Sequence, residues 1–246
     1  MAYIVNSLDN NPFKYFDLYP AKLKSNQEEI LNRRFYYYKN LPEYLKPIFR
    51  NRLAKFIRSK KFTTREELIL SEEIITLISA SAIQLTFGLS NYKLNYFDEI
   101  IVYPGQYYSK ITHHYHKGET NSKGILVFSW PDFLEGYNNS SDNLNLGLHE
   151  FSHALFINFK KDYEMDINFG LYYNEWKEVG TKAFFKLKDD QENYFRAYAQ
   201  VNLMEFFAVM VEHFFESPNQ FIIHYPELYE ILRKLLGQNP STWVKK

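Results

Sequence analysis

Residues 145–155 read NLGLHEFSHAL, and the fold is read outward from them. Leu144, Leu148, Phe151 and Leu155 recur at i, i+4, i+7 and i+11, the core stripe of an amphipathic helix. His149 and His153 lie off that stripe and one turn apart. Both imidazoles therefore stand on one helix face and can reach a single tetrahedral ion at ~2.0–2.1 Å. Glu150 sits beside the first of them, next to the coordination position left for water. A zinc ion in such a place lowers the pKa of a water and polarises a carbonyl, while the carboxylate takes the proton and delivers it to the leaving amine. That chemistry is peptide hydrolysis. The polar run 138–142 supplies candidates for the cap of this helix. Gly147 inside it costs ~1 kcal/mol relative to Ala, which predicts close approach of a neighbouring backbone.

Composition narrows the alternatives. None of the 246 residues is cysteine, so disulfides, thiol catalysis and cysteine-type zinc sites are excluded and any transition metal falls to His and carboxylates. Lys+Arg and Asp+Glu both number 29, leaving no whole-chain field toward a polyanion or an acidic membrane. Hydrophobic residues make up 46% of the chain, with 21 Tyr and 22 Phe, enough apolar surface for a sizeable core. The opening MAYIVNSLDNNPFKYF lacks the basic-then-apolar pattern of a signal peptide. The longest apolar segment, from Ile74 to Leu89, is broken by polar residues and is shorter than the ~18 residues of a membrane span. A cytoplasmic location is expected, with neither a membrane nor nucleic acid as partner.

The flanking segments set the class. Leu45, Ile48, Phe49, Leu53, Phe56 and Ile57 predict a helix over 45–62, and its basic residues 46–61 read as a solvated face. A second helix is expected from Ile74 to near Gly88. EIIVY at 99–103 and GILVFSW at 124–130 read as strands, and between them His113, His114 and His116 read as loop histidines rather than ligands. After a polar stretch, 202–216 predicts an apolar helix closed by Ser217-Pro218, and a last helix runs from Pro226 to Gly237. Helices flank a few strands without βαβ alternation, so the class is α+β. One domain over 1–246 is expected: an N-terminal extension at 1–35, helices at 36–95, and the sheet with the histidine helix and the apolar helix at 96–246.

A catalytic zinc site needs a third protein ligand. Positions three and six after His153 are Phe156 and Phe159, so a third histidine in the extended H-E-x-x-H-x-x-G-x-x-H pattern is ruled out. A carboxylate is expected, and spacing leaves three: Glu175, at a separation familiar from other zinc peptidases, and Glu205 and Glu212, seven apart on one helix face. Glu205 also suits the third position of a capping box begun by Asn202.

Several further pieces accompany the motif: LPEYLKPIFRNRLAKFIRSKKF, YPGQYY at 103–108, HKGE at 116–119, GILVFSWPDFLEG at 124–136 and EFFAVMVEHFFESP at 205–218. Together, and in this order over residues 36–240, they resemble the Mlc titration factor A peptidases, relatives of the anthrax lethal factor catalytic domain. The resemblance implies a zincin-like fold, with helices on a small mixed sheet and H-E-x-x-H on a central helix. It implies one Zn2+ per chain, with Glu205 as third ligand, Tyr198 donating to the developing oxyanion and Glu212 orienting a ligand. It further implies that the strand Gly124, Ile125, Leu126, Val127, Phe128 is a sheet edge on which an extended peptide adds. Aminopeptidase action on short peptides is one implied function; sequestration of a transcriptional repressor is the other. The chain departs from the family where Phe156 follows Leu155 and where INFKKDYEMDINF replaces an Asp-Gly-rich stretch.

Overall fold

The computed structural model describes residues 19–109, 113–139, 141–161, 167–189 and 194–243. The opening segment read for a leader lies outside them, as do residues 162–166 of the departing stretch. Described residues 19–35, expected as an extension, include α1 (Ser25–Arg34), whose Leu31 is fully buried in the main core. That core is one cluster running from Leu31 to Trp243.

Helix α2 (Tyr36–Asn40) is followed by α3 (Lys46–Ser59), and then by a strand, β1 (Lys61–Thr64), where the apolar period predicts helix as far as Phe62. The basic residues of this stretch have internal partners. Arg52 is buried and donates to the carbonyls of Phe87 and Leu89, both at 2.7 Å; Lys60 donates to Leu94 O at 3.0 Å. Helix α4 (Glu72–Thr86) is capped by Ser71 and buried on nearly every face.

Strand β2 (Glu99–Tyr103) pairs in parallel with β1, so β1–α4–β2 is a βαβ crossover. The expectation of no such alternation fails because KFTT carries too little apolar pattern to announce a strand. The hairpin of β3 (Tyr107–Ser109) and β4 (His114–His116) comes next, placing His114 and His116 in a strand rather than a loop. Strand β5 (Gly118–Asn121) leads into β6 (Ile125–Ser129), and the sheet order is β1-β2-β6-β5. Thus β6 is paired on both sides, parallel to β2 and antiparallel to β5. The edge role expected for Gly124–Phe128 is overturned: Leu126, Val127 and Phe128 are all buried, as an unbroken apolar run demands when both faces of a strand are covered. The edge strands are β1 and β5, and β5 is the one that packs on α6.

Helix α5 (Trp130–Asn138) leads to α6 (Leu146–Lys161), which packs on α4, α5, α8 and β5. Leu144 precedes α6 and is half exposed, so the core stripe starts at Leu148. Asn145, not the run 138–142, caps the helix: its side chain accepts from Leu148 N at 3.0 Å. A Cβ on Gly147 would meet Ser81 Oγ at 2.5 Å and Phe133 Cε2 at 2.7 Å, so side chains of α4 and α5, rather than a backbone, make the close approach. The stretch read as polar connection holds α7 (Ile167–Asp189), whose Trp176 is buried against Phe156 and Phe207. Helices α8 (Leu203–Glu216), α9 (Pro218–His224) and α10 (Pro226–Leu236) complete the described chain. Among the described residues, no helix is long and apolar enough to cross a membrane.

Candidate metal centre

Two helices build the site. On α6, His149 and His153 project from one face as their i, i+4 spacing requires. On α8, Asn202 caps the N-terminus by accepting from Met204 N and Glu205 N, and the Glu205 carboxylate extends to both imidazoles. His149 Nε2 lies 3.0 Å from Glu205 Oε2, His153 Nε2 lies 3.3 Å from the same oxygen, and the two nitrogens are 3.2 Å apart. Ligand atoms at ~2.0–2.1 Å from a tetrahedral ion stand about 3.3 Å from one another, so this triangle fits one such ion. Among the described residues it is the one group of three or more His, Asp or Glu donors close enough to hold a metal. Glu175 is exposed on α7 and pairs with Lys234 at 3.2 Å; the structure does not bring it to the site.

Electrostatics agree with a cation at this point. Burial pulls the His149 imidazole down, but hydrogen bonds to Glu205 and Glu212 outweigh it and hold it at about 10. Burial pushes the Glu205 carboxyl up, but the two histidines outweigh it and bring it to about 2. The surrounding carboxylates thus favour positive charge at the His149 imidazole, and a divalent ion answers the same demand.

Glu150 is buried beside the triangle, and Thr120 of β5 fixes it, with the hydroxyl 2.8 Å from both Oε2 and the Glu150 backbone carbonyl. Burial raises the Glu150 carboxyl, against the pull of His149 and His153, which strengthens it as a proton acceptor. Gly118 is the reason the edge strand can lie this close. A Cβ there would meet Glu150 Cγ at 2.8 Å and Oε1 at 2.9 Å.

Tyr198 sits in a 3-10 turn, Ala197–Gln200, with its ring 5.7 Å from that of His149. It is half exposed and donates to Glu205; burial, then Glu205 and Glu150, raise its phenol, so it keeps its proton. Glu212 is fully buried and accepts from His149 Nδ1 at 2.7 Å. It also accepts from Asn145 N at 3.1 Å and from both terminal guanidinium nitrogens of Arg196, at 2.5 and 2.8 Å. A cavity of about 380 Å3 opens over the site, and its lining includes His149, Glu150, Arg196, Tyr198 and Glu212 together with Lys117, Asp132, Glu135 and Asp142. His116 lines it too, while His113 and His114 do not.

Sequence reasoning missed Thr120, Asn145 and Arg196. Thr120 and Arg196 act across elements and no local spacing announces them, whereas Asn145 had a local signal as an Asn three residues before Leu148 at the start of the helix. Gly118 had a signal in HKGE, although its contact with Glu150 did not.

One turn beyond Glu212, Glu216 is buried and accepts from Asn145 Nδ2 and Asn143 N, both at 2.9 Å. Burial dominates these donors and pushes its carboxyl up to about 8. Between roughly pH 4.5 and 8 the folded chain then keeps a proton that the unfolded chain has lost. Stability contributed by this group therefore falls as pH rises through that window. Urea unfolding of wild type and Glu216→Gln is expected to diverge in the variant's favour by on the order of 4 kcal/mol from pH 4.5 to 8. Parallel stability curves would refute this.

Two imidazoles and a carboxylate around one point, with a further buried carboxylate alongside, make up the donor arrangement of a mononuclear metallopeptidase. The chain belongs to the glucose-regulated metallo-peptidase M90 family, whose profile matches residues 14–236. It is 24% identical over 243 residues to a Synechocystis sp. protein named Uncharacterized protein slr2042, covering 91% of this chain and 87% of that protein. It is likewise 24% identical over 219 residues to Mlc titration factor A of Pectobacterium atrosepticum, covering 78% of each.

Proposed function

We propose that this chain is a zinc peptidase of zincin-like fold, holding one Zn2+ through His149, His153 and Glu205. The observation that carries the reading is the triangle of 3.0, 3.2 and 3.3 Å with the Thr120-bound Glu150 carboxylate beside it. When bound, zinc supplies Lewis acidity, lowering the pKa of a water and polarising the scissile carbonyl. Glu150 accepts the proton of the attacking water and returns it to the leaving nitrogen. The Tyr198 hydroxyl, held protonated at the rim, donates to the oxygen that becomes negative. Glu212 accepts a hydrogen bond from His149 Nδ1 and so keeps that proton in place, which makes Nε2 the nitrogen that would ligate once its own proton is displaced. The free edge of β5 offers main-chain groups to an extended peptide, a binding mode with little sequence selectivity. Short peptides with aminopeptidase-type cleavage are the substrates we favour.

The test is a peptide panel assayed as isolated, after chelation and after zinc is returned. Turnover is expected to vanish on chelation and to recover with about one equivalent of zinc per chain. Chelation-indifferent hydrolysis, or none under any condition, would sink the reading. The name of the Pectobacterium relative favours a second reading, binding of a transcriptional regulator with little or no turnover. In that case Glu150→Gln captures its partner as well as wild type does, and no peptide on the panel is cleaved.

A further inference from the structure

We infer that Arg196 is a positioning residue that sets the metal-binding strength of His149 through Glu212, an inference that rests on the zinc reading above. Three observations converge on it. Its fork holds both oxygens of Glu212, at 2.5 and 2.8 Å, while the nearer of those oxygens to His149 accepts the Nδ1 proton at 2.7 Å. Glu212 is fully buried, so its charge needs a fixed partner. The same guanidinium donates to Asn143 O at 2.7 Å, on the chain entering α6, and lies 5.8 Å from the centre of the Tyr198 ring. Arg196 thus ties together the approach to the histidine helix, the carboxylate behind His149 and the turn that carries Tyr198.

The chemistry follows from the fork. A planar guanidinium fixes a carboxylate in rotation as well as in position, which an ammonium cannot do. With Glu212 locked, its bond to Nδ1 fixes one imidazole tautomer and one ring angle, aiming Nε2 at the ion. Without the lock, Glu212 keeps only the single donors Asn145 N and His149 Nδ1, which fix it less well in rotation, and the ring angle loosens with it.

The experiment measures zinc affinity by competition with a chromophoric chelator, and the absorption of the cobalt-substituted protein, for wild type, Arg196→Met, Arg196→Lys, Glu212→Gln and the Met/Gln double variant. Arg196→Met is expected to weaken zinc binding by about 10–100-fold and to shift the cobalt bands. Arg196→Lys, which keeps the charge without the fork, is expected to fall between it and wild type. In the Glu212→Gln background, adding Arg196→Met is expected to change affinity by less than about threefold, because the group it acts through is gone. Where Arg196→Met unfolds, the Lys variant and the Glu212→Gln pair still decide the question. Wild-type affinity in Arg196→Lys, or an equal loss from Arg196→Met in both backgrounds, overturns the proposal while leaving the zinc reading intact. A wild-type chain that binds no zinc overturns the zinc reading and this inference with it.

Discussion

Glu150→Gln is expected to lower kcat/KM for peptide hydrolysis by about 10²–10⁴-fold while zinc content stays at the wild-type level. The amide keeps the shape of the carboxylate, so the contact with Gly118 and the hydrogen bond from Thr120 to the side-chain oxygen both survive. None of the three metal-donor atoms is touched. What is lost is the proton acceptor, whose basicity burial had raised. Removing a buried carboxyl also removes its desolvation cost, so the variant should unfold no more easily than wild type. Kinetics and metal analysis on one preparation check this. Turnover within a few-fold of wild type would show that another group takes the proton.

Glu205→Ala is expected to lose zinc and activity together. One of three donors goes, and the affinity loss should exceed the ~10–100-fold that removing an outer partner costs. Zinc at a thousandfold over its dissociation constant stabilises a folded chain by roughly 4 kcal/mol, and the variant should forfeit most of that gain. A second signature of this ligand set is read on the wild type. In the metal-free wild type His149 stays protonated up to about pH 10, held there by Glu205 and Glu212. Zinc must displace the Nε2 proton, so loading at pH 8 should release about one proton, read as a buffer-dependent calorimetric enthalpy. Wild-type zinc affinity in Glu205→Ala would move the third ligand elsewhere.

Much of this architecture was legible where one element carries its own signal. The apolar period announced α4, α8 and α10, and caps or breakers such as Asn202, Ser217-Pro218 and Gly237 marked their ends to within a residue or two. Legibility failed where a segment depends on its neighbours. KFTT is a strand only because β2 pairs with it. Helix α7 has apolar residues too scattered by Lys, Glu and Asn to stand out until α10 and α8 cover them. GILVFSW was correctly a strand, but its place in the sheet depended on β5, whose GETN gives no sign of being one.

The amino-acid sequence by itself determined that two histidines one helical turn apart share a face with Glu150 beside them, because helix periodicity is a property of neighbouring residues. It determined that any metal must be held without thiolate, because cysteine is absent. Only the tertiary structure brought Glu205 to both imidazoles and left Glu175 away from them, put Gly118 and Thr120 against Glu150, and joined Arg196 to the carboxylate behind His149. Those relations span from 16 to 63 residues of chain. They arise from how packed elements aim their side chains at one point, and nothing in local spacing encodes that direction.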